Sequence, residues 1–103
     1  MLNTTYLIVP YEVYTDSRLR HFDKLLFGKI YSLSRQEGYC WASNLYLANE
    51  LNVTSGYVSQ SIKRLSDFEY INLVINTYSK NESRRKIYVK QFNILQEGIA
   101  IYC

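Results

Sequence analysis

Basic side chains are concentrated in one short stretch near the C-terminal end of the sequence. Residues 80–90 hold five basic side chains and one acidic side chain, a net charge of +4, whereas the whole chain carries +3. Lys80, Arg84, Arg85 and Lys86 have the charge and the N–H donors that bind phosphate oxygens. The competing interpretation is a charged hairpin that protects a sheet edge. Neighbouring side chains of a strand face opposite sides, so Arg85 and Lys86 cannot both face one ligand.

A second polar set lies on the helix predicted over residues 55–68. Its candidate contacts to nucleic-acid bases and phosphates are Ser55, Tyr57, Ser59, Gln60, Lys63 and Arg64. A glutamine amide pairs with adenine, and a lysine ammonium binds guanine or a phosphate. The alternative is that these residues form only the solvated face of an amphipathic helix. Because Lys63 and Arg64 lie in the second half of the helix, the basic stretch 80–90 carries more of the expected phosphate binding.

Catalytic and metal-binding chemistry has no comparable constellation in this sequence. His21 is the only histidine, and Cys40 and Cys103 have no metal-ligand spacing. A cysteine nucleophile needs a basic partner, and none is indicated here. The carboxylates are scattered, and the four glycines form no phosphate-binding loop. We therefore predict no catalytic residue, no metal and no cofactor, and a binding protein rather than an enzyme.

The composition is that of a globular protein with enough residues for one domain. The chain has 103 residues, of which 48% are hydrophobic, and eleven are tyrosines, which suit half-buried surfaces. The lone Trp41 is expected to anchor the core or an interface. Two isolated cysteines predict free thiols in a reducing cytoplasm. No apolar run is long enough to span a membrane, and the first residues lack a secretion signal, so we predict a cytoplasmic protein.

Helical spacing and capping residues predict three helices in the first two thirds of the chain. Apolar residues recur every three or four positions over residues 18–36, and Gly38 is placed to end that helix. Thr15, Asp16 and Ser17 offer the residue types that start a helix. Ser43 is expected to cap a helix over 44–50, and Thr54 or Ser55 a helix over 55–68.

The remaining segments predict strands, an arm and a tail. Residues 70–75 and 86–89 have the two-residue period that is typical of strands, and the polar segment 76–85 between them predicts a hairpin with a long tip. The basic part of this hairpin, residues 78–86, is called the wing. Residues 39–42 are short enough for a small strand or connector. The arm, 1–15, holds a short edge strand or extended segment interrupted by Pro10. The tail, 91–103, is apolar enough to pack on another surface.

Four residues within and between the second and third predicted helices have the spacing of a helix-turn-helix. The small side chain of Ala48 permits the two helices to cross closely, and Asn52 tolerates a left-handed turn between them. The apolar side chains of Val53 and Val58 are expected to fix the angle between the two helices by packing in the core. The fold class that follows is mainly α with a small β-hairpin (α+β), a winged helix-turn-helix in a single domain over 1–103. Such a fold places helix 55–68 in the major groove of double-stranded DNA with the wing on phosphates. The alternative is a winged helix that binds only protein, such as a phage-encoded inhibitor or adaptor.

Several short runs of the chain share one known pattern: Val9-Pro10, 24–28, 37–44, Val53-Thr54, Val58-Ser59, Tyr70-Ile71 and 85–89. Together they resemble the N-terminal winged-helix domain of DnaD-like replication initiation proteins and phage replisome organisers. The resemblance covers residues 8–90, and its specific part is Gly-Tyr-Cys-Trp-Ala-Ser-Asn at 38–44. It implies binding of origin DNA, self-association as a homodimer and contact with a protein partner of the replication machinery in a phage, plasmid or bacterial system.

The chain departs from the pattern of that family at three places. Ser55, Gly56 and Tyr57 stand where basic residues are usual, Gln60 and Ser61 replace larger or basic residues, and Glu69 replaces a glycine. These departures weaken direct sequence recognition by helix 55–68 and favour phosphate binding by the wing. Transcriptional regulation stays an alternative to replication because both use the same docking. The arm and the apolar tail are the expected dimer surface.

Overall fold

The computed structural model of the chain describes residues 6–79, 82–90 and 98–102, and the side chains of residues 7–75 and 84–90. Within these ranges the elements are, in order, β1 Tyr6–Pro10, α1 Tyr11–Tyr14, α2 His21–Ser34, α3 Asn44–Leu51, α4 Ser55–Asp67, β2 Ile71–Ser79, β3 Glu82–Val89 and β4 Gly98–Tyr102. Strand β1 pairs with β4, and β2 pairs with β3.

Helix α2 begins at His21, later than the start at Arg18 that the sequence predicts. The backbone N–H of Arg20 donates to a carboxylate oxygen of Asp23 over 2.8 Å, which satisfies one donor at the helix start. Asp16 does not start this helix. Its carboxylate instead accepts from the backbone and the guanidinium of Arg18 at 2.7–3.0 Å. The expected helix start at residues 15–17 was therefore wrong.

Residues Tyr11–Tyr14 form a helical turn, α1, although the sequence predicts an extended segment there. Pro10 ends β1 and precedes the turn with an extended ψ of 146°. Val13 is fully buried, and the Thr15 hydroxyl donates to the carbonyl of Tyr11 over 2.9 Å. The burial of one apolar side chain outweighs the strand preference of the aromatic residues around it, because β propensity depends on packing.

The connection between α2 and α3 follows the prediction. Gly38 has a φ of +85° and donates its N–H to the carbonyl of Ser34 over 2.8 Å, as expected of a glycine that ends a helix. Cys40 then forms a two-way bridge with Ile87 of β3, with N···O distances of 2.8 and 2.9 Å. The predicted short strand is thus a single residue on the edge of the β2–β3 hairpin.

The helix-turn-helix itself is formed as the capping residues predict. The Ser43 hydroxyl accepts the N–H of Tyr46, and the Thr54 hydroxyl accepts the N–H of Tyr57, both over 3.1 Å. Asn52, between α3 and α4, has left-handed angles of 58° and 45°. On the inner side of this pair of helices, Ala48 and Val58 are buried.

The β2–β3 hairpin is longer than the sequence predicts. Its register runs from Ile71↔Val89 to Ser79↔Glu82, with an irregularity near Thr77, so most of segment 76–85 is strand rather than a long tip. Ile75 is 63% exposed, which shows that the hairpin projects past the core. In a projecting ribbon the backbone ladder forms without the alternating apolar pattern that a half-buried strand requires.

The arm and the tail pair with each other in one antiparallel sheet. The register of β1 and β4 runs from Tyr6↔Tyr102 to Pro10↔Gly98, and β1 packs on α2. The arm and the tail were predicted as separate segments. Strands that pair across about ninety intervening residues leave no signal of their pairing in the local sequence. Part of the surface that was expected to form a dimer is therefore used within one chain.

A hydrophobic core lies where α2, α3 and α4 meet the sheet. Its largest fully buried apolar side chains are Phe27, Leu26, Ile30, Leu47, Leu65, Ile87, Val9, Val13 and Val58. Helical and strand residues contribute to the same cluster, so the hairpin is fixed to the helices rather than tethered loosely. The predicted fold class, a winged helix-turn-helix of α+β type, is confirmed.

Candidate nucleic-acid interface

Helix α4 has one buried face and one exposed polar face. The buried face holds Val58, Ser61, Ile62 and Leu65. The exposed face holds Ser55, Gly56, Ser59, Gln60, Lys63 and Asp67. Four of the six residues proposed on this helix, Ser55, Ser59, Gln60 and Lys63, thus lie together on the outer face. A single face of small polar side chains fits the close approach of a helix to base edges.

The charge on the exposed face of α4 is nearly balanced. Lys63 Nζ lies 3.1 Å from a carboxylate oxygen of Asp67, and the two side chains are 76% and 56% exposed. An ion pair this exposed contributes little stability, so the ammonium can exchange Asp67 for a phosphate. Gly56 has no atom within 4 Å of where a Cβ would stand, which leaves the first turn of the helix open to a ligand.

Tyr57 and Arg64, the other two candidates on this helix, hold α4 against α2. The Tyr57 ring packs against Phe22 with centroids 4.8 Å apart, and Tyr57 is half-buried. The Arg64 guanidinium donates twice to Asp23, at 2.8 and 3.0 Å, and its side chain is only 23% exposed. These two side chains set the angle of the helix rather than line its outer face.

Asp23 is the centre of this link between the two helices. Its side chain is fully buried and also accepts from the Ser61 hydroxyl and from the backbone N–H of Arg20. Burial raises the pKa of Asp23, but the hydrogen bonds from Arg64, Ser61 and Arg20 outweigh it and lower the pKa below its usual value. The carboxylate therefore stays charged at neutral pH and keeps its hold on α4.

The three cations of the wing that the structure describes have different surroundings. Arg84 is exposed. Lys86 places its Nζ 4.7 Å from the centre of the Tyr39 ring, a cation–π contact. Arg85 points to the other side, where its guanidinium donates to the Ala42 carbonyl over 2.7 Å and to the Asn44 side chain over 2.8 Å. Arg85 and Lys86 do face opposite sides, as predicted. Lys80 lies outside the described residues.

Arg85 is a half-buried cation with neutral partners. Desolvation lowers its pKa, and no carboxylate in the described part of the chain lies within ion-pair distance of it. The guanidinium still carries its charge, because an arginine pKa stays far above neutral. Its two hydrogen bonds fix β3 to the start of α3, and no carboxylate of the described residues balances its charge.

A groove of about 610 Å³ lies beside Arg85. Its walls come from the connection before α3, the first residue of α3 and strand β3: Tyr39, Trp41, Ala42, Ser43, Asn44, Arg84, Arg85 and Lys86. Tyr39 and Asn44 were not predicted as site residues, and Trp41 was expected only to anchor the core or an interface. The available signal was alternation, because the residues on either side of a core residue such as Cys40 face away from the core.

The described residues offer no metal site and no activated nucleophile. No group of three or more histidine, cysteine or acidic side chains is arranged to hold a metal ion in this part of the chain, and His21 is exposed. Burial raises the pKa of the Cys40 thiol, so it is a poor nucleophile at neutral pH. Cys103 lies outside the described residues. Among the described helices, none has the length and apolar character needed to cross a membrane.

Comparison with known families agrees with this geometry. A family model described as a helix-turn-helix domain matches residues 17–71, more than half of the chain. The match covers α2, α3 and α4 and ends at the first residue of β2, so it includes the turn at Asn52 and the whole exposed face of α4. No curated protein and no solved structure matches the chain.

Proposed function

Because the chain belongs to the family of helix-turn-helix domains, we propose that it binds double-stranded DNA with α4 in the major groove and the wing on phosphates. The observation that carries the proposal is the exposed polar face of α4, which includes Lys63, together with the cations of the wing. A major groove about 12 Å wide admits one α-helix. The buried opposite face of α4 gives that helix a rigid support.

The proposed contacts divide between the helix and the hairpin. We propose that Gln60 reads a base edge and that Ser55, Ser59 and Lys63 contact bases or phosphates. The open space at Gly56 lets the N-terminal end of α4 approach a phosphate, which that end of a helix attracts. Arg84 and Lys86 are the proposed phosphate contacts of the wing, and we extend this role to Lys80 from the sequence alone. Tyr57, Arg64 and Arg85 position these contacts.

We propose a setting in replication initiation of a phage, plasmid or bacterial system. The support is the resemblance of the run 38–44 to DnaD-like proteins, and self-association and a partner in the replication machinery belong to the same proposal. A regulator of transcription would use the same docking. Binding to a replication-origin fragment in preference to a promoter fragment of equal length is expected, and equal affinity for both would count against the replication role.

The proposal is tested by titrating the full chain with labelled random-sequence duplex and following fluorescence anisotropy at low salt. The double variant Gln60→Ala/Lys63→Ala is expected to bind more weakly, because it removes a cation that can contact a phosphate in any sequence. Arg35→Ala removes the same charge from an exposed position after α2 and is expected to bind almost normally. If the wild-type chain does not bind duplex at low salt, the proposal is wrong and the protein-binding alternative is favoured.

A further inference from the structure

The groove between the start of α3 and strand β3 combines cations with an exposed aromatic ring. Its described lining includes Arg84, Arg85, Lys86 and Trp41, and contains no carboxylate. Arg85 has only neutral hydrogen-bond partners among the described residues, so its charge has no compensating anion there. A half-buried charge of this kind is stabilised by an anionic ligand. The first requirement of an occupant is therefore a negative group.

Trp41 supplies a flat apolar surface at the same groove. The side chain is 50% exposed, although a tryptophan of a small domain is usually well buried. Its ring is held edge-on against Tyr46 of α3, with centroids 5.0 Å apart. The contact limits rotation of the ring, so the exposed part is ready to stack on a planar group without a large entropic cost.

A second aromatic pair continues this surface along β3. Tyr39 and Tyr88 lie with their ring centroids 5.9 Å apart, and Lys86 sits over the Tyr39 ring. Cys40 pairs with Ile87, so Trp41 and Tyr39 flank one strand residue while Lys86 and Tyr88 flank its partner. Two aromatic side chains beside Cys40 thus lie across the bridge from one cation and one aromatic side chain of β3.

We propose that this groove binds single-stranded nucleic acid, with an unpaired base stacked on Trp41 and the phosphate backbone held by Arg84 and Lys86, while Arg85 adds positive charge from the inner side of β3. A single strand presents both a free base face and a chain of phosphates, which are the two chemistries that the groove offers. A duplex does not present the base faces, because its bases stack on each other. The inference goes beyond the proposed duplex site: the two share Arg84 and Lys86, but the stacking surface of Trp41 has no part in duplex binding.

The test uses Trp41 as its own reporter, because it is the only tryptophan of the chain. The full-length protein is titrated with a short oligothymidine, a blunt duplex of equal length and inorganic phosphate, with selective excitation of tryptophan. Oligothymidine is expected to quench Trp41 emission, as stacking does, and phosphate alone is expected to leave it unchanged. Absence of any change with oligothymidine at low salt overturns the proposal.

Two variants separate stacking from charge attraction. Trp41→Leu is expected to bind labelled oligothymidine between fivefold and a hundredfold more weakly, on the order expected for loss of one stacked base. Trp41→Phe keeps a flat ring and is expected to retain most of the affinity. Equal affinity of Trp41→Leu and wild type for oligothymidine also overturns the proposal.

Lys63 and Trp41 distinguish the duplex site from the single-strand site, because each residue belongs to only one of the two. Lys63→Ala removes a contact of α4 and is expected to weaken duplex binding while leaving oligothymidine binding unchanged. Loss of oligothymidine binding in Lys63→Ala would place the strand on α4 and overturn the groove as its site. Absence of wild-type duplex binding would refute the proposed function and leave the quenching result as the test of the groove.

Discussion

Removal of the Arg64 side chain measures how much the buried carboxylate of Asp23 contributes to the attachment of α4 to α2. In Arg64→Leu, Asp23 keeps its hydrogen bonds from Ser61 and from the backbone N–H of Arg20, but loses the guanidinium that donates twice to it. The Asp23 side chain is fully buried, so its charge has no water to replace the lost partner. Breaking a buried ion pair on one side costs about 3–5 kcal/mol.

We expect the lower end of that range, about 3 kcal/mol at pH 7, for Arg64→Leu. Two donors to Asp23 remain, and leucine keeps part of the apolar contact of the arginine stem. Domains of this size unfold with about 5–15 kcal/mol, so the variant stays folded at low temperature. Urea denaturation followed by circular dichroism gives the free energy of unfolding of both proteins.

The pH dependence gives this prediction its sharpest test. In the wild type the pKa of Asp23 is lowered, so its contribution to stability is complete above the ordinary carboxyl pKa of about 3.9 and is lost as pH falls through the folded-state pKa. In Arg64→Leu the guanidinium that lowers the pKa of Asp23 is gone, so we expect burial to dominate and to raise that pKa above its ordinary value. The variant therefore gains stability relative to the wild type as pH falls, and the difference between them shrinks from pH 7 toward pH 4.

A double variant is the matched control for this experiment. Asp23→Asn removes the charge, so adding Arg64→Leu to it should destabilise by far less than Arg64→Leu does in the wild type. A difference below about 1 kcal/mol at pH 7, or one that stays constant between pH 7 and pH 4, would refute the claim that Asp23 is held as a buried carboxylate by Arg64.

Three further substitutions test the backbone and packing. Gly28→Ala is expected to lower the free energy of unfolding by about 1 kcal/mol in thermal or urea denaturation. A Cβ at residue 28 would lie 3.1 Å from Leu7 and 3.2 Å from Val9, and this overpacking outweighs the gain in helix propensity. A stabilised variant would contradict the close packing of β1 on α2. Gly56→Ala is expected to stabilise the free protein by up to about 1 kcal/mol, because a Cβ at residue 56 meets no other atom. The same methyl group is expected to weaken duplex binding, because it would occupy the space proposed for a phosphate. Unchanged affinity would show that the N-terminal end of α4 is not part of the interface. Glu69 has a φ of 65°, a left-handed conformation that glycine adopts without the steric cost of a side chain. Glu69→Gly is therefore expected to raise the free energy of unfolding by about 1 kcal/mol. A loss of stability would show that contacts of the glutamate side chain compensate for its backbone conformation.

Sequence reasoning succeeded where the controlling interactions are local. Ser43 and Thr54 cap helices that begin one residue later, and Asn52 adopts the left-handed turn expected of it. Each of these depends on hydrogen bonds within four residues, which the order of residue types is sufficient to predict. Ala48 and Val58 were predicted to pack where the two helices cross, because the short turn between the helices fixes their spacing, and both side chains are buried.

The failures involve contacts between distant parts of the chain. Nothing near Arg64 in the sequence indicates that it binds Asp23, which lies 41 positions away, rather than a ligand. The alternation of strand residues predicted that Arg85 and Lys86 face opposite sides, but not that Arg85 is the inner one. The pairing of β1 with β4 likewise depends on the finished fold, since neither strand is long or strongly alternating.

The proposal that the exposed face of α4 and the wing hold duplex DNA through phosphates is tested most directly by the salt dependence of binding. The affinity of the full chain for random duplex is measured over a series of salt concentrations, beside Arg84→Ala/Lys86→Ala. The slope of log affinity against log salt falls by about 0.9 for each phosphate contact removed, so the variant is expected to lose about 2 from the slope and to bind more weakly at low salt. An unchanged slope, or wild-type binding that does not weaken as salt rises, would contradict phosphate binding by the wing.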